Sequence, residues 1–222
     1  MSGPVRVSSR YLPTRYLGGD VFDYRWIDDD HLIITLLDVS GHGVESALLS
    51  VSVHNLLRSG SMSVDTLRSP QRVLTELNRL FPMESHGGHY FTVWYGVYRR
   101  STRTLTYASA GHPPALVFTP TSTEPDESLT NSPPVGMLED GEFLAATYQV
   151  DHGTQILLYS DGAFEHRTAD GGSSTLGQFI DLCAGLAAAA PGWSLDDLLA
   201  RLRNLSAEDT FDDDCALIQV DF

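Results

Sequence analysis

The sequence predicts an α+β fold in which antiparallel β-sheets are covered by α-helices. Two observations predict this class. Short segments with the two-residue period of strands follow one another across polar turns, and segments with the i, i+3, i+4 spacing of helices come in blocks between them. The chain has 222 residues, 42% of them hydrophobic, which suffices for one domain with a sizeable core.

Strands are predicted where residues alternate or where apolar runs are bounded by turn residues. The aromatic residues Phe22, Tyr24 and Trp26 alternate with other side chains, as in a half-buried strand. The acidic run Asp28–Asp30 makes the turn into the next strand, so the two form a hairpin. The predicted strands cover residues 22–26, 32–37, 91–98, 104–108, 115–118, 143–150, 155–159 and 216–220.

Four helices are predicted from apolar stripes and end signals. Gly60 offers a stop for the first helix, and Pro70 opens the second, because proline at the first helical position gives up no N–H that the helix needs. Ser194 and Asp197 have the spacing of a capping box at the start of the fourth. The stripes cover residues 44–51, 73–81, 176–186 and 195–205.

The predicted domain organisation is simple. Residues 1–10 are expected to be a lead-in, and residues 11–222 a single domain. Residues 119–134 are rich in Thr, Ser, Pro and Glu, so they are predicted to form a mobile loop that is too short for a domain linker.

The charge balance excludes several classes of partner. The chain carries 14 Lys and Arg against 29 Asp and Glu, a formal net charge of −15. Such a surface repels the phosphates of nucleic acids and of anionic lipids, so we expect neither a nucleic-acid nor a membrane partner. There is no secretory signal and no apolar run of membrane-spanning length, and two cysteines are too few for a disulfide framework. We therefore expect a cytoplasmic protein.

Four aspartates stand at the edges of predicted strands: Asp20, Asp38, Asp161 and Asp213. Each alone is more often a turn residue. If the strand ends converge, however, several carboxylates meet, and two charges about 4 Å apart repel by about 4 kcal/mol at an effective dielectric constant of about 20. Such a cluster would hold protons or bind cations, and carboxylate oxygens are the ligands of Mg²⁺ and Mn²⁺.

Six short blocks stand in order along the chain: Tyr11–Asp23, Asp38–Gly43, Ala110–Pro114, Pro134–Leu138, Leu158–Gly162 and Asp213–Ala216. This ordered set resembles the metal-dependent protein phosphatases (PPM, type 2C phosphatase-like). The similarity is greatest to the SpoIIE/Rsb type of bacterial stress-response and sporulation phosphatases. Residue Ala216 stands where that family usually has Thr, and Glu45 where it commonly has Pro.

The resemblance implies a fold and a metal site. The fold would be a four-layer α-β-β-α sandwich, with two antiparallel sheets face to face and helices on both outer faces. Asp38 would bridge two divalent cations, Mn²⁺ or Mg²⁺, and the carbonyl of Val39 would be a further ligand. Asp161 and Asp213 would hold one ion, and Asp20 would help to hold the other. Asp213 is preferred to its neighbour because it is the first Asp of its block.

The resemblance also implies an activity. A water held between the cations would attack a phosphoserine or phosphothreonine in line, with Asp38 and His42 as the catalytic residues. His42 is either the general acid for the leaving alkoxide or a residue that shapes its glycine-rich turn. The substrate would be a phosphorylated anti-sigma-factor antagonist, and family members usually carry an upstream regulatory segment.

The same residues allow other interpretations. A catalytically inactive pseudophosphatase that binds a protein partner would have no need of all four aspartates. A two-metal nuclease or nucleotide hydrolase would use similar carboxylates, but the acidic charge disfavours it. His112, which precedes two prolines, is interpreted as a turn residue, and His86 with His89 is not interpreted as a metal pair.

Overall fold

A computed structural model describes residues 5–13, 18–122, 124–167, 172–190, 192–205 and 213–222. The strands are β1 (Arg6–Leu12), β2 (Val21–Trp26), β3 (His31–Val39), β4 (Phe91–Arg99), β5 (Thr104–Ala110), β6 (Ala115–Phe118), β7 (Asp126–Ser128), β8 (Ala146–Gln149), β9 (Gln155–Tyr159) and β10 (Cys215–Asp221). The helices are α1 (Val44–Arg58), α2 (Val64–Leu67), α3 (Pro70–Leu80), α4 (Leu176–Ala189) and α5 (Leu195–Leu205), with single 3₁₀ turns at Met83–Ser85 and Asp161–Ala163.

The described residues divide into two compact units, and each contains one sheet. The first unit takes in the described parts of 16–114 and 129–150. Its antiparallel sheet has the strand order β2-β3-β4-β5-β8, and α1 and α3 contact its strands. Strand β4 is at the centre of this sheet, and beside it every residue of β3 from Leu32 to Leu37 is buried. Helices α1 and α3 contribute Val53, Leu57, Leu74 and Leu77 to its core.

The second unit takes in the described parts of 1–15, 115–128 and 151–222. Its antiparallel sheet has the order β1-β10-β9-β6-β7. Helices α4 and α5 line its core with Phe179, Cys183, Leu198 and Leu202. As predicted, α5 begins at a capping box, in which the Asp197 N–H donates to Ser194 Oγ and the Ser194 N–H donates to Asp197 Oδ2.

Two antiparallel sheets, each with its own helices, confirm the predicted α+β class. Two boundaries need correction. The predicted lead-in 1–10 contains most of β1, which is a strand because it pairs with β10 over its whole length. The predicted loop 119–134 contains β7, which pairs with β6 from Asp126 to Ser128. Within the described ranges, no helix combines the length and the apolar character that crossing a bilayer requires.

Candidate active site

The first carboxylate pair, Asp20 and Asp38, is set by strand register. Val21 pairs with Leu37 in the antiparallel ladder of β2 and β3. Asp20 precedes Val21 and Asp38 follows Leu37, so in an antiparallel pair Asp20 is opposite Asp38. Directly opposed residues of an antiparallel pair point to the same face, with Cβ atoms about 5 Å apart. Asp20 is only 7% exposed, so this pair brings two like charges together in a poorly solvated place.

Gly19 makes this approach possible. A Cβ atom at Gly19 would lie 2.6 Å from the carbonyl oxygen of Val39 and 3.1 Å from its nitrogen. These distances are too short for any side chain, so only glycine lets the chain before β2 lie against the end of β3. The same approach places the Val39 carbonyl, the predicted backbone ligand, beside the residue that precedes Asp20.

The loop after Asp38 carries His42, and hydrogen bonds between Ser40 and both His89 and Tyr90 fix its first residues. The Ser40 N–H donates to the Tyr90 carbonyl at 2.9 Å, and the Tyr90 N–H donates to Ser40 Oγ at 3.1 Å. His89 Nδ1 lies 2.7 Å from the Ser40 carbonyl oxygen, and because a carbonyl only accepts, Nδ1 carries the proton. His42 itself is exposed in this loop, just before α1.

The second carboxylate pair, Asp161 and Asp213, lies in the other unit. Asp161 opens the 3₁₀ turn after β9, and Asp213 precedes β10. Burial first, and then the negative charges of Asp213 and Glu165, raise the pKa of the Asp161 carboxyl to about 6. Two neighbouring carboxyls, one of which is hard to ionise, are typical of a cation site.

Gly162 permits the close approach of the two segments that carry the second pair, as Gly19 does for the first pair. A Cβ atom at Gly162 would overlap the carbonyl oxygen of Asp214 and would lie 2.8 Å from the carbonyl carbon of that residue. It would also lie 3.1 Å from the backbone carbonyl oxygen of Asp213. Ser160 joins the same two segments by two hydrogen bonds. Its Oγ accepts from the Ala216 N–H at 2.9 Å and donates to the Asp214 carbonyl at 3.3 Å.

The structure separates the roles of two adjacent aspartates. Asp214 is 2% exposed, and its Oδ2 accepts a hydrogen bond from the Tyr11 hydroxyl at 3.1 Å. Asp213 is exposed, and its charge acts on Asp161. Asp213 as the metal ligand stays a prediction, and its exposure and its effect on Asp161 are consistent with it.

Each unit thus carries one of the predicted pairs: Asp20 and Asp38 in one, Asp161 and Asp213 in the other. Among the residues that the structure describes, no three Asp, Glu, His or Cys side chains are grouped as a metal site would group them. Mg²⁺ takes about six oxygen ligands and keeps several waters, so one carboxylate pair supplies only part of a coordination shell. The shared holding of two cations by all four aspartates stays a prediction.

Sequence reasoning missed two polar residues near Asp38, namely Thr92 and His112. Thr92 is the partner of Asp38 in the β3–β4 ladder, and its hydroxyl lies 2.9 Å from His112 Nδ1. His112 directly follows the bend at Gly111, and the residue is only 3% exposed. The signal that could have found them is the register of three strands, which no local pattern displays.

Comparisons with known proteins show the family of this chain. The family model described as "Stage II sporulation protein E (SpoIIE)" matches residues 28–222. The chain belongs to the SpoIIE family. It is 35% identical over 165 residues to the "Phosphoserine phosphatase RsbP" of Bacillus subtilis (strain 168). This match covers 72% of this chain but only 40% of RsbP.

Solved structures of this kind share the fold. The SiaA-PP2C domain of Pseudomonas aeruginosa matches 97% of this chain and 85% of its own, with a TM-score of 0.82 at 20% identity. A crystal structure of RsbX in complex with magnesium matches 97% of this chain and 94% of its own, with a TM-score of 0.69 at 17% identity. The resemblance to type 2C phosphatases of the SpoIIE and Rsb type is therefore confirmed.

The close approach at Gly162 makes a testable prediction. We expect Gly162→Ala to lower the free energy of unfolding by about 1–3 kcal/mol, because an added methyl group must displace the Asp214 backbone. Chemical denaturation in the presence of EDTA measures this loss. Gly185 is the matched control, because it lies inside α4 with nothing within 4 Å of an added Cβ. Gly185→Ala is expected to stabilise by about 0.5–1 kcal/mol. Equal effects of the two substitutions would contradict the crowding at Gly162.

The raised pKa of Asp161 predicts a pH dependence of stability. Its pKa of about 6 in the folded protein exceeds the ordinary value of 3.8, so the metal-free protein loses stability as pH rises from about 4 to about 6. We expect Asp161→Asn to remove this loss and to raise stability at pH 7.5 by about 1–3 kcal/mol, since one pKa unit corresponds to about 1.4 kcal/mol.

Unfolding by urea at pH 5 and pH 7.5 in EDTA checks this expectation. The control is Asp29→Asn, at an exposed turn residue, which should change little at either pH. A less stable Asp161→Asn protein at pH 7.5 would show that the folded state tolerates the Asp161 charge well, and the crowding of Asp161 with Asp213 would then be wrong.

Proposed function

We propose that this protein is a metal-dependent phosphatase that hydrolyses a phosphoserine or phosphothreonine monoester of another protein. The observation that carries the proposal is the pair of crowded carboxylates in each unit, Asp20 with Asp38 and Asp161 with Asp213. The matched relative RsbP is named a phosphoserine phosphatase. Because the chain spans about 40% of that relative's length, activity, substrate and partners are proposed for this chain on its own residues.

The donor set fits divalent cations. Each of the four side chains offers hard oxygen ligands, which Mg²⁺ and Mn²⁺ prefer, and the Val39 carbonyl adds a neutral one. The pKa of Asp161 is raised, and Asp20 lies opposite Asp38 in the ladder. Both observations indicate repulsion between negative charges, which a bound cation would reduce. Two bound cations would supply Lewis acidity and neutralise charge at a transferring phosphoryl group.

The chain's own residues have distinct tasks in this proposal. Asp38, at the end of β3 between the neighbouring strands β2 and β4, is the residue best placed to be shared by two ions. Asp161 and Asp213 hold one ion, and Asp20 helps to hold the other. His42, exposed to solvent in the loop after Asp38, can give a proton to the leaving serine or threonine oxygen.

The proposed substrate is a folded phosphoprotein, an anti-sigma-factor antagonist in a bacterial partner-switching pathway. Its dephosphorylation would let the antagonist capture an anti-sigma factor. Support comes from the family and from the names of the relatives, RsbP among them. An upstream regulatory domain or partner fits the greater length of that relative. The two cysteines are buried thiols that suit a reducing cytoplasm, so a cytoplasmic location stays our prediction.

Release of p-nitrophenol from p-nitrophenyl phosphate tests the proposed activity. We expect hydrolysis that requires Mn²⁺ or Mg²⁺, stops with EDTA and falls at least about 100-fold in Asp38→Asn. Asp29→Asn, at an exposed turn aspartate, should keep full activity. Saturating Mn²⁺ without phosphate release from this substrate or from a phosphorylated antagonist would favour the pseudophosphatase that only binds its partner.

The same assay separates the two interpretations of His42. If His42 is the general acid, His42→Gln lowers kcat by about 100-fold and removes the fall in rate at high pH. An unchanged pH profile with a small loss of rate would mean that His42 only shapes its loop. A variant of His152, which is exposed in the turn before β9, serves as the histidine control.

A further inference from the structure

The strand register places a hydroxyl next to Asp38 on the side away from Asp20. In the antiparallel ladder of β3 and β4, Asp38 is directly opposite Thr92, and Val39 is opposite Phe91. Directly opposed side chains point to the same face with Cβ atoms about 5 Å apart, within reach of a hydrogen bond between a hydroxyl and a carboxylate. Asp38 therefore has a carboxylate across one ladder and a hydroxyl across the other.

A buried histidine holds this hydroxyl. Strand β5 pairs with β4 as far as Ala110 opposite Val93, so the next residue, Gly111, comes level with Thr92. Gly111 has φ of +65°, and the turn that it makes points His112 back toward β4. The Thr92 hydroxyl and His112 Nδ1 are 2.9 Å apart, and the histidine is 3% exposed.

The turn that carries His112 is itself fixed by buried hydrogen bonds. Ser109 Oγ donates to the His112 carbonyl at 3.0 Å. Thr130 Oγ1 accepts from the Ser109 N–H at 2.7 Å and donates to the Ser109 carbonyl at 2.9 Å. The Gly111 N–H donates to the Ser132 carbonyl at 3.0 Å. A turn that served only to reverse the chain would not need a buried imidazole aimed at the strand beside Asp38.

The direction of the Thr92–His112 bond decides what Thr92 can do. A hydroxyl has one hydrogen to give. If the hydroxyl gave it to His112, none would remain for a carboxylate. If His112 Nδ1 carries the proton and donates, the hydroxyl oxygen accepts and its hydrogen is directed to an acceptor on the same face. The carboxylate of Asp38, opposite in the ladder, is such an acceptor.

We propose that His112 is a positioning residue that acts through Thr92: its Nδ1–H fixes the Thr92 hydroxyl, which donates to Asp38 and sets the orientation of that carboxylate toward the cations. The proposal rests on the proposed function, because it assigns Asp38 to cation binding. Hydrogen bonds from such supporting groups orient ligating carboxylates, and their loss typically weakens metal binding about 10- to 100-fold.

Calorimetric titration of the metal-free protein with Mn²⁺ tests the proposal without relying on turnover. We expect Thr92→Val, which removes the hydroxyl at nearly constant volume, to weaken Mn²⁺ binding about tenfold or more. Thr92→Ser keeps the hydroxyl and should stay within about threefold of the natural protein. The control is Thr35→Val, because Thr35 is a buried threonine of β3 whose side chain points to the face opposite that of Asp38.

Two substitutions of His112 supply a second, independent readout. In His112→Asn the side-chain amide keeps an N–H donor near the place of Nδ1, so Mn²⁺ affinity should be largely retained. His112→Leu has no donor and should lose as much affinity as Thr92→Val. A role in stability alone would lower the unfolding midpoint of both variants without this difference in affinity, so melting curves are recorded beside each titration.

The outcomes are separable. If the natural protein binds Mn²⁺ and Thr92→Val binds it equally well, the positioning role is wrong while the proposed function stands. If His112→Asn and His112→Leu lose affinity equally, the donor role of Nδ1 is wrong. If the natural protein binds no Mn²⁺, the proposed function fails and the role of His112 fails with it.

Discussion

Two close approaches of backbone to backbone position the four aspartates of the candidate site. A side chain at Gly19 would collide with the carbonyl oxygen of Val39, and a side chain at Gly162 would collide with the carbonyl group of Asp214. At both places only glycine lets the two backbone segments lie so close together. Each approach sets two aspartates side by side, and one carboxyl of each pair is poorly solvated: Asp20 is 7% exposed, and burial raises the pKa of Asp161. Proteins rarely keep such pairs for stability, since like charges in contact oppose folding. The crowding is therefore best understood as the cost of a cation site.

The remainder of each unit offsets that cost. The first carboxylate pair stands at the end of β3, whose residues Leu32–Leu37 are all buried, and the second at the end of β9 and the start of β10, which are almost wholly buried. Rigid strands of this kind hold ligands in place without help from the cation. Around them lies a shell of hydrogen bonds: Ser160 joins the ends of β9 and β10, Tyr11 holds Asp214, and His89 holds the loop of His42.

Local pattern predicted most of the elements, because two-residue and 3.6-residue periods are written in adjacent residues. It did not predict β1 or β7, whose strand character depends on pairing with β10 and β6, far away in sequence. The site shows the same division. The four aspartates could be proposed as ligands from their places at strand ends and from the family resemblance. Thr92 and His112 could not, because their relation to Asp38 exists only in the register of β3, β4 and β5. The choice of Asp213 over Asp214 came from the family block, and burial gives it a physical reason.

The most direct test of the shared cation site is anomalous diffraction from crystals of the natural protein grown with MnCl₂. We predict two manganese peaks, both within coordination distance of Asp38, with Asp161 and Asp213 on one ion and Asp20 near the other. The result that would contradict this assignment is a well-ordered set of these four carboxylates with no manganese between them, or manganese bound only at other acidic residues of the surface.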